Sequence, residues 1–299
     1  LPSDLLGTLR VTVFSPEDLE LVKGGPAVRR NMLDDLLVAL HPRNAGVRAE
    51  WERALKQRNA LLKGVHGRLD ESAELTLEVW DQKASAAGEE LTALREALLR
   101  RLAPAVRQAY EDLAEVAVPV ELTYRRSWRE PLATALVDAR ADDLRRGLTT
   151  VGPHRDEVAV QLDDMPARTH ASQGEQRCLA LALRLAAHRE LTRELGTAPV
   201  LLLDDVFSEL DPGRARALVR SLPGGQAFLS TAGEPFAALV AAGLSPDAVV
   251  DVGPGTLSVD HPAGTVSGAA VSDDRVPDEP VPDDPVSDHP VADDVQGDR

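Results

Sequence analysis

Apolar and polar positions alternate in LRVTVF, residues 9–14, and the run is rich in β-branched side chains, so it predicts a strand. FSPEDL follows. Ser15 suits a helix N-cap, Pro16 its first position and Asp18 the far side of a capping box, with Phe14 and Leu19 at the two positions of a hydrophobic staple. Gly24–Gly25–Pro26 ends that short helix and begins another. From about residue 27 to 115 the period is helical. RAEWERALKQRNALLKG has one polar face and stops at Gly64. Further on, Trp80, Ala84, Ala87, Leu91, Leu94, Leu98 and Leu102 recur at spacings of three and four, a coiled-coil-like stripe that also suits the core of a helical bundle, expected to end or kink near Pro104.

Beyond about residue 118 the pattern becomes mixed. VPVELTY and EVAVQL (157–162) predict strands, as do QAFLST (226–231), AVVDV (248–252) and TLSVD (256–260), the last two joined by a Gly-Pro-Gly turn. VLLL at 200–203 is a continuous apolar run, the mark of a strand buried on both faces. Helices are predicted at 172–195 and 212–222. Strands alternating with helices indicate an α/β fold, here interrupted by a long helical insertion.

Composition sharpens this picture. Hydrophobic residues make up 43% of the 299 positions but aromatics only 3%, so the core must be built from Leu, Val and Ala. The one cysteine, Cys178, excludes an internal disulfide framework and a cysteine-based zinc site; set in an apolar run, it reads as a small buried hydrophobe in a protein of a reducing cytosol. No apolar run approaches the ~20 residues of a membrane span, and no secretory signal opens the chain, so no membrane partner is expected. The net charge of −16 argues against bulk electrostatic binding of nucleic acid, yet about half of the excess lies in the last forty residues. There Val, Pro and acidic residues repeat loosely, and 262–299 reads as a disordered acidic tail.

Two strings carry candidate chemistry. In VLLLDD a buried strand delivers Asp204 and Asp205 to the edge where open α/β sheets bind ligands; Asp204 would reach a Mg²⁺ ion on nucleotide phosphates, and Asp205 would orient or deprotonate a water. In ASQGEQR, Ser172 and Glu175 form a capping box, which is an ordinary helix start. A helix N-terminus is also an anion site, and Gly174 would let the backbone approach a phosphate. The two readings are compatible.

The order of these strings resembles the ABC-type ATPases: a Ser-x-Gly-x-Gln helix start, about thirty residues, four apolar residues, two acids, then SELD. Within that class the chain resembles the RecF family, through FSPEDLELVKGGPAVRRNMLDDLL (14–37), QRNALLK (57–63), GPHRDE (152–157), ASQGEQRCLALALRLA (171–186) and LLLDDVFSELD (201–211). The resemblance implies an ABC-type ATPase head. Residues 1–33 would end its N-terminal part, 34–146 would form an inserted helical arm, and 147–261 would hold the signature, Walker B and D-loop. It implies ATP and Mg²⁺ as cofactors. Ser172, Gln173, Gly174 and Glu175 would form the signature, Ser208 and Asp211 the D-loop, and Ser230 or Thr231 the switch where transporters carry His. Asp205 stands where the class usually has Glu. No G-x-x-x-x-G-K-[ST] phosphate loop occurs in the sequence, so roughly the first hundred residues of the family pattern are expected to be absent.

The function so implied is ATP-dependent binding of single-stranded DNA and double-strand to single-strand junctions by an ATP-clamped homodimer. It would serve gap repair, replication restart and SOS induction, with the RecO and RecR mediators, in the loading of recombinase. Hydrolysis would be slow, and this chain alone inactive. A transporter ATPase subunit and a nonenzymatic DNA- or partner-binding protein are the alternatives. Arg29 and Arg30, Arg100, Arg101 and Arg107, and Arg125, Arg126 and Arg129 beside Trp128 are candidate phosphate contacts or solvated helix faces. His154 and Arg155 are candidates for function or for a turn before the 157–162 strand.

Overall fold

The computed structural model describes residues 10–65, 67–231, 240 and 243–261. The tail expected to be disordered, 262–299, lies outside the described residues, as does Leu9. Strand β1 (Val11–Phe14) leads through a 3-10 turn (Pro16–Leu19) into α1 (Glu20–Lys23) and α2 (Pro26–Leu40). The insertion follows as α3 (Asn44–Gly64) and α4 (Glu71–Ala114). Next come β2 (Val120–Arg125), α5 (Leu132–Asp138), α6 (Arg140–Arg146), β3 (Glu157–Leu162), β4 (Met165–Pro166), α7 (Ala167–His170) and α8 (Gln173–Leu195). β5 (Val200–Asp204), a 3-10 turn (Val206–Glu209), α9 (Pro212–Ser221) and β6 (Ala227–Ser230) complete the first unit. A second unit, beginning at Pro246, contains the antiparallel hairpin of β7 (Val249–Gly253) and β8 (Thr256–Asp260), turned by the predicted Gly-Pro-Gly.

β1, β5 and β6 form a parallel sheet with β5 in the centre. The register Phe14↔Leu203↔Leu229 brings the carboxyl ends of all three strands to one edge. Thr12, Phe14, Leu201 and Leu203 are buried on one face. On the other, Val11, Val13 and Phe228 are 40%, 47% and 56% exposed and Leu202 is half-buried. VLLL is thus buried on one face only, not on both as its apolar run predicts, because no described helix covers the second face. β2, β3 and β4 form a separate antiparallel sheet.

The insertion is a packed bundle. α4 begins at the Asp70 cap, whose carboxylate accepts the Ala73 amide at 2.7 Å, and runs 44 residues without stopping at Pro104. A proline removes one helical hydrogen bond, but buried Leu98, Leu99 and Leu102 before it and Val106, Ala109, Tyr110 and Leu113 after it hold both halves to the principal core. The first half of α4 packs instead in a second cluster with Trp51, Ala54, Trp128, Leu132 and Leu136. The close approach there depends on Gly88: a Cβ at that position would lie 2.5 Å from Leu132 and 3.0 Å from Trp51.

Buried ions tie the helices of the insertion to α2, α6 and the loop at 149–153. The Arg58 side chain is fully buried and donates to Asp81 and Asp143 at 2.6 Å each and to Thr149 at 2.9 Å. Arg140 adds a second contact to Asp81, and Asp143 also accepts the Thr150 amide and hydroxyl. Arg95 grips Asp34 through two bonds of 2.6 and 2.7 Å and donates to the Pro153 carbonyl. Removing one partner of such a pair leaves a buried charge without compensation. Arg58→Ala is expected to destabilise the protein by about 3–5 kcal/mol, read by urea denaturation; a loss below about 1 kcal/mol would show that water replaces the guanidinium.

GPHRDE belongs to this structural knot. Asp156 is fully buried; it accepts the Ser127 amide and the Tyr124 hydroxyl at 2.8 Å each, and burial raises its pKa. His154 donates from Nε2 to the Thr149 carbonyl at 3.0 Å and lies 5.6 Å from the Trp51 ring. Gly152, at φ +123°, admits the Trp51 ring where a Cβ would come within 2.9 Å. Burial is the main cause that pushes the His154 pKa down to about 4, with Arg155 and Arg30 acting in the same direction. The folded state therefore favours neutral imidazole while the unfolded chain takes up the proton first. Stability from this group is full above its unfolded pKa, is lost as pH falls toward about 4, and amounts to about 3 kcal/mol. His154→Gln is expected to flatten the fall in melting temperature between pH 7 and pH 5; an unchanged slope would assign it to other groups.

Candidate functional site

The edge formed by the carboxyl ends of β1, β5 and β6 is where an open parallel sheet binds ligands. Asp204, the last residue of β5, is exposed there. The Ser230 hydroxyl, at the end of β6, donates to Asp204 Oδ1 at 2.5 Å. Of the two hydroxyls considered for the switch position, Ser230 is the one on Asp204, while Thr231 Oγ1 is buried without a hydrogen-bond partner. Glu17, in the turn after β1, also feels this edge. The Ser15 hydroxyl holds its carboxyl below the ordinary range, and Asp204 pushes in the opposite direction. In the sequence Ser15 and Asp18 stand out only as caps, and nothing in the pattern marks Glu17. The Ser15 amide does donate to Asp18 at 3.1 Å, and Asp18 also accepts two bonds from Arg184 of α8 at 2.6 and 2.8 Å.

Asp205 turns the chain sharply, at φ +47°. Its amide donates to the Ser230 carbonyl, its carbonyl accepts the Ser208 hydroxyl at 2.9 Å, and Oδ1 is buried without a partner. It lines a narrow cleft with Ser15, Asp18, Arg177 and Val206. Asp211 ends the turn as N-cap of α9, its Oδ1 accepting the Gly213 and Arg214 amides at 3.0 Å.

At the start of α8 the capping box is formed: the Ser172 amide donates to Glu175 at 2.7 Å and the Glu175 amide to the Ser172 hydroxyl at 3.3 Å. Ser172 and Gln173 are exposed. Among the described residues no hydrogen bond or ion pair joins Ser172, Gln173, Gly174 or Glu175 to Asp204 or Asp205. Gly174 is covered by a residue that no motif singles out. A Cβ there would fall within the Arg214 guanidinium, 2.9 Å from its Cζ, and Arg214 is paired with Asp211 at 3.5 Å. The only sequence signal for Arg214 is its place three residues after Asp211. Cys178 is buried, and burial raises its pKa, as befits a core thiol.

Several candidate DNA contacts have partners within the protein. Arg29 is buried and donates to the Leu21 and Gly24 carbonyls and to Glu157; Arg30 donates to the Asp156 carbonyl. Arg101 is paired with Glu190, Arg126 grips Glu96 through two bonds, and Arg107 reaches the Val120 carbonyl at 3.4 Å. Trp128 is buried beneath Arg126. Arg101, Arg107 and Arg126 are nonetheless exposed, as are Arg100, which pairs with Glu96 at 4.0 Å, Arg125, Arg129 and Arg155.

The edge residues suit Mg²⁺ held with phosphates, since that ion needs only one or two protein carboxylates when phosphate oxygens supply the rest. Among the described residues no group of three or more His, Cys, Asp or Glu is gathered to hold a metal alone, and no helix is long and apolar enough to cross a membrane.

No protein-family model matches the chain. Over 247 residues it is 46% identical to the DNA replication and repair protein RecF of Streptomyces avermitilis, covering 77% of the chain and 65% of that protein. The chain thus spans just under two thirds of that relative's length. Among solved structures it is similar to the recombination mediator protein RecF of the RecFOR pathway with ATPrS and with ATP. The TM-scores are 0.74 and 0.73 at 28% identity, covering 87% and 86% of the chain and 70% and 69% of those proteins. The α/β fold with its helical insertion, the ABC-type ATPase head expected from the motif order, is the fold of these relatives. With nearly half of its aligned residues identical to one RecF and its backbone similar to that of RecF in two solved structures, the chain belongs to the RecF family.

Proposed function

We propose that this chain supplies the signature, Walker B and D-loop parts of the ATP site of a RecF-type protein of recombinational DNA repair. The observation that carries the reading is the exposed Asp204 at the carboxyl edge of the parallel sheet, with the Ser230 hydroxyl on it and the Asp205 turn beside it. Asp204 would hold Mg²⁺ on the nucleotide, and Asp205 would orient the attacking water with Thr231 nearby. Ser172, Gln173, Gly174 and Glu175 would face the ATP of a second protomer, with Ser208 and Asp211 in the turn between the two sites. That Ser172 is exposed and makes no bond to Asp204 supports a site completed only in a dimer. Residues 1–33 and 147–261 would belong to the head, and 34–146 to the arm.

In the full-length protein, ATP clamps a homodimer on single-stranded DNA and double-strand to single-strand junctions in the cytosol. Slow, DNA-stimulated hydrolysis releases the clamp, and RecO and RecR act with it in loading recombinase during gap repair, replication restart and SOS induction. The two similar structures, named for RecF with ATPrS and with ATP in the RecFOR pathway, support the nucleotide and the pathway. The exposed Arg125 and Arg129 are the phosphate contacts this reading favours over the arginines already paired.

Turnover and association in the full-length protein test this reading. Asp205→Asn should retain ATP binding, slow hydrolysis by about a hundredfold and prolong the ATP-bound dimer. Asp204→Asn should weaken Mg²⁺ coordination and so raise the Mg²⁺ concentration needed for turnover; unchanged turnover in both variants would refute the assignment. Ser172 separates helix capping from nucleotide binding. Ser172→Ala should cost about 1 kcal/mol of stability. Ser172→Asp still caps the helix and should melt normally, but it sets a carboxylate against a phosphate and should fail to dimerise with ATP in analytical ultracentrifugation. A dimerising Ser172→Asp variant would leave Ser172 as a cap alone.

A further inference from the structure

The seat of Arg214 on Gly174 joins two segments that sequence motifs treat separately. Gly174 lies in the first turn of α8, whereas Arg214 lies in the first turn of α9, forty residues on. Asp211 caps α9 and faces the same guanidinium at 3.5 Å. The Arg214 side chain is 33% exposed, so it lies against the protein rather than extending into solvent. α4 packs against both α8 and α9, and its buried Tyr110 senses Glu175 and Arg214 together: burial pushes the hydroxyl pKa up to about 12, Glu175 adds to this and Arg214 opposes it. The absence of a side chain at Gly174 is what lets the planar guanidinium lie on the helix start. A Cβ would occupy its place.

We propose that Arg214 is a positioning residue of the ATP site: seated on Gly174 and paired with Asp211, it fixes the Ser208–Asp211 turn against the start of α8, so that the D-loop and the signature are presented to nucleotide as one rigid unit. The inference rests on the reading of the site given above and deepens it. It also gives Gly174 a role other than close approach of a phosphate. The glycine is the floor on which Arg214 lies. A lysine could not substitute, because an ammonium is a point charge and lacks the flat fork that meets a backbone and a carboxylate at once.

The test is a double-variant cycle on the full-length protein, with Gly174→Ala, Arg214→Ala, Arg214→Lys and Gly174→Ala/Arg214→Ala, and with Asp204→Asn as reference. The guanidinium is the end of a flexible side chain, so Gly174→Ala should displace it without unfolding the protein, and all variants should melt close to wild type. Gly174→Ala and each Arg214 variant should lower kcat for ATP by about tenfold or more with KM within about twofold, since binding is retained and the reactive arrangement is lost. The double variant should be no slower than Arg214→Ala, because the added methyl then has nothing to displace. Wild-type turnover in Arg214→Ala while Asp204→Asn is inactive would overturn the inference and leave the ATP site standing. A double variant slower by the product of the two single losses would overturn it too, returning Gly174 to direct contact with phosphate. Normal turnover in Asp204→Asn would sink the site assignment, and the inference with it.

Discussion

The burial of α8 is the constraint on which the rest of the first unit depends. Cys178, Leu179, Ala180, Leu181, Ala182, Leu183, Leu185, Ala186 and Ala187 are all buried, so the helix is enclosed on every side instead of showing one apolar stripe. β1, α1, α2 and α4 all pack on it. Each leucine so buried contributes about 1.5–3 kcal/mol. Its polar residues are matched within the same packing: Gln176 donates to the Ala167 and Arg168 carbonyls, His188 meets Thr12 of β1, and Glu190 accepts from Arg101 of α4. A helix held this way cannot slide, so its first turn, with Ser172 and Gly174, has a fixed place relative to α9 and α4.

A second layer of order comes from ions taken out of water. Arg58, Arg95 and Asp156 are each buried, and each binds groups from segments far apart in the chain. Such arrangements contribute little net stability over an apolar core, but they tolerate few alternatives, since each misplacement leaves a charge uncompensated. Here they connect α2, α3, α4 and the 149–156 loop. The arm is consequently joined to the strand-bearing part through α4 itself, whose halves pack in different clusters, and through a polar knot at GPHRDE.

The same strings serve structure and chemistry. Ser172 and Glu175 cap α8, and Asp211 caps α9, before any nucleotide is considered. A capped N-terminus still presents first-turn amides, so capping and anion binding do not exclude one another. At Asp205 the left-handed backbone turns the chain away from the sheet immediately after Asp204. The two neighbouring carboxylates therefore meet different surroundings. Asp204 stays on the exposed edge, and Asp205 enters a cleft beside Arg177.

By itself the sequence determined the principal strands and helices and their order, though not the short elements α5, α6, β4 and α7. Period-two alternation at EVAVQL, the cap at Ser172 and the run of four apolar residues before Asp204 are local signals, because backbone geometry and capping act over a few residues. The pairing of motifs across the chain likewise pointed to an ATPase of the RecF family. What only the tertiary structure decided are interactions between residues distant in sequence. Pro104 suggests an end to α4, yet packing on both sides carries the helix through it. VLLL suggests a strand covered on two faces, but local hydrophobicity does not say which neighbours arrive. Arg29 and Arg30 resemble a phosphate-binding pair, yet Glu157 and the Asp156 carbonyl, more than a hundred residues away, hold them. Gly174 resembles a phosphate-loop glycine, yet Arg214 lies on it. In each case the deciding partner is brought in by folding, and a pattern read over a few neighbouring residues contains no term for it.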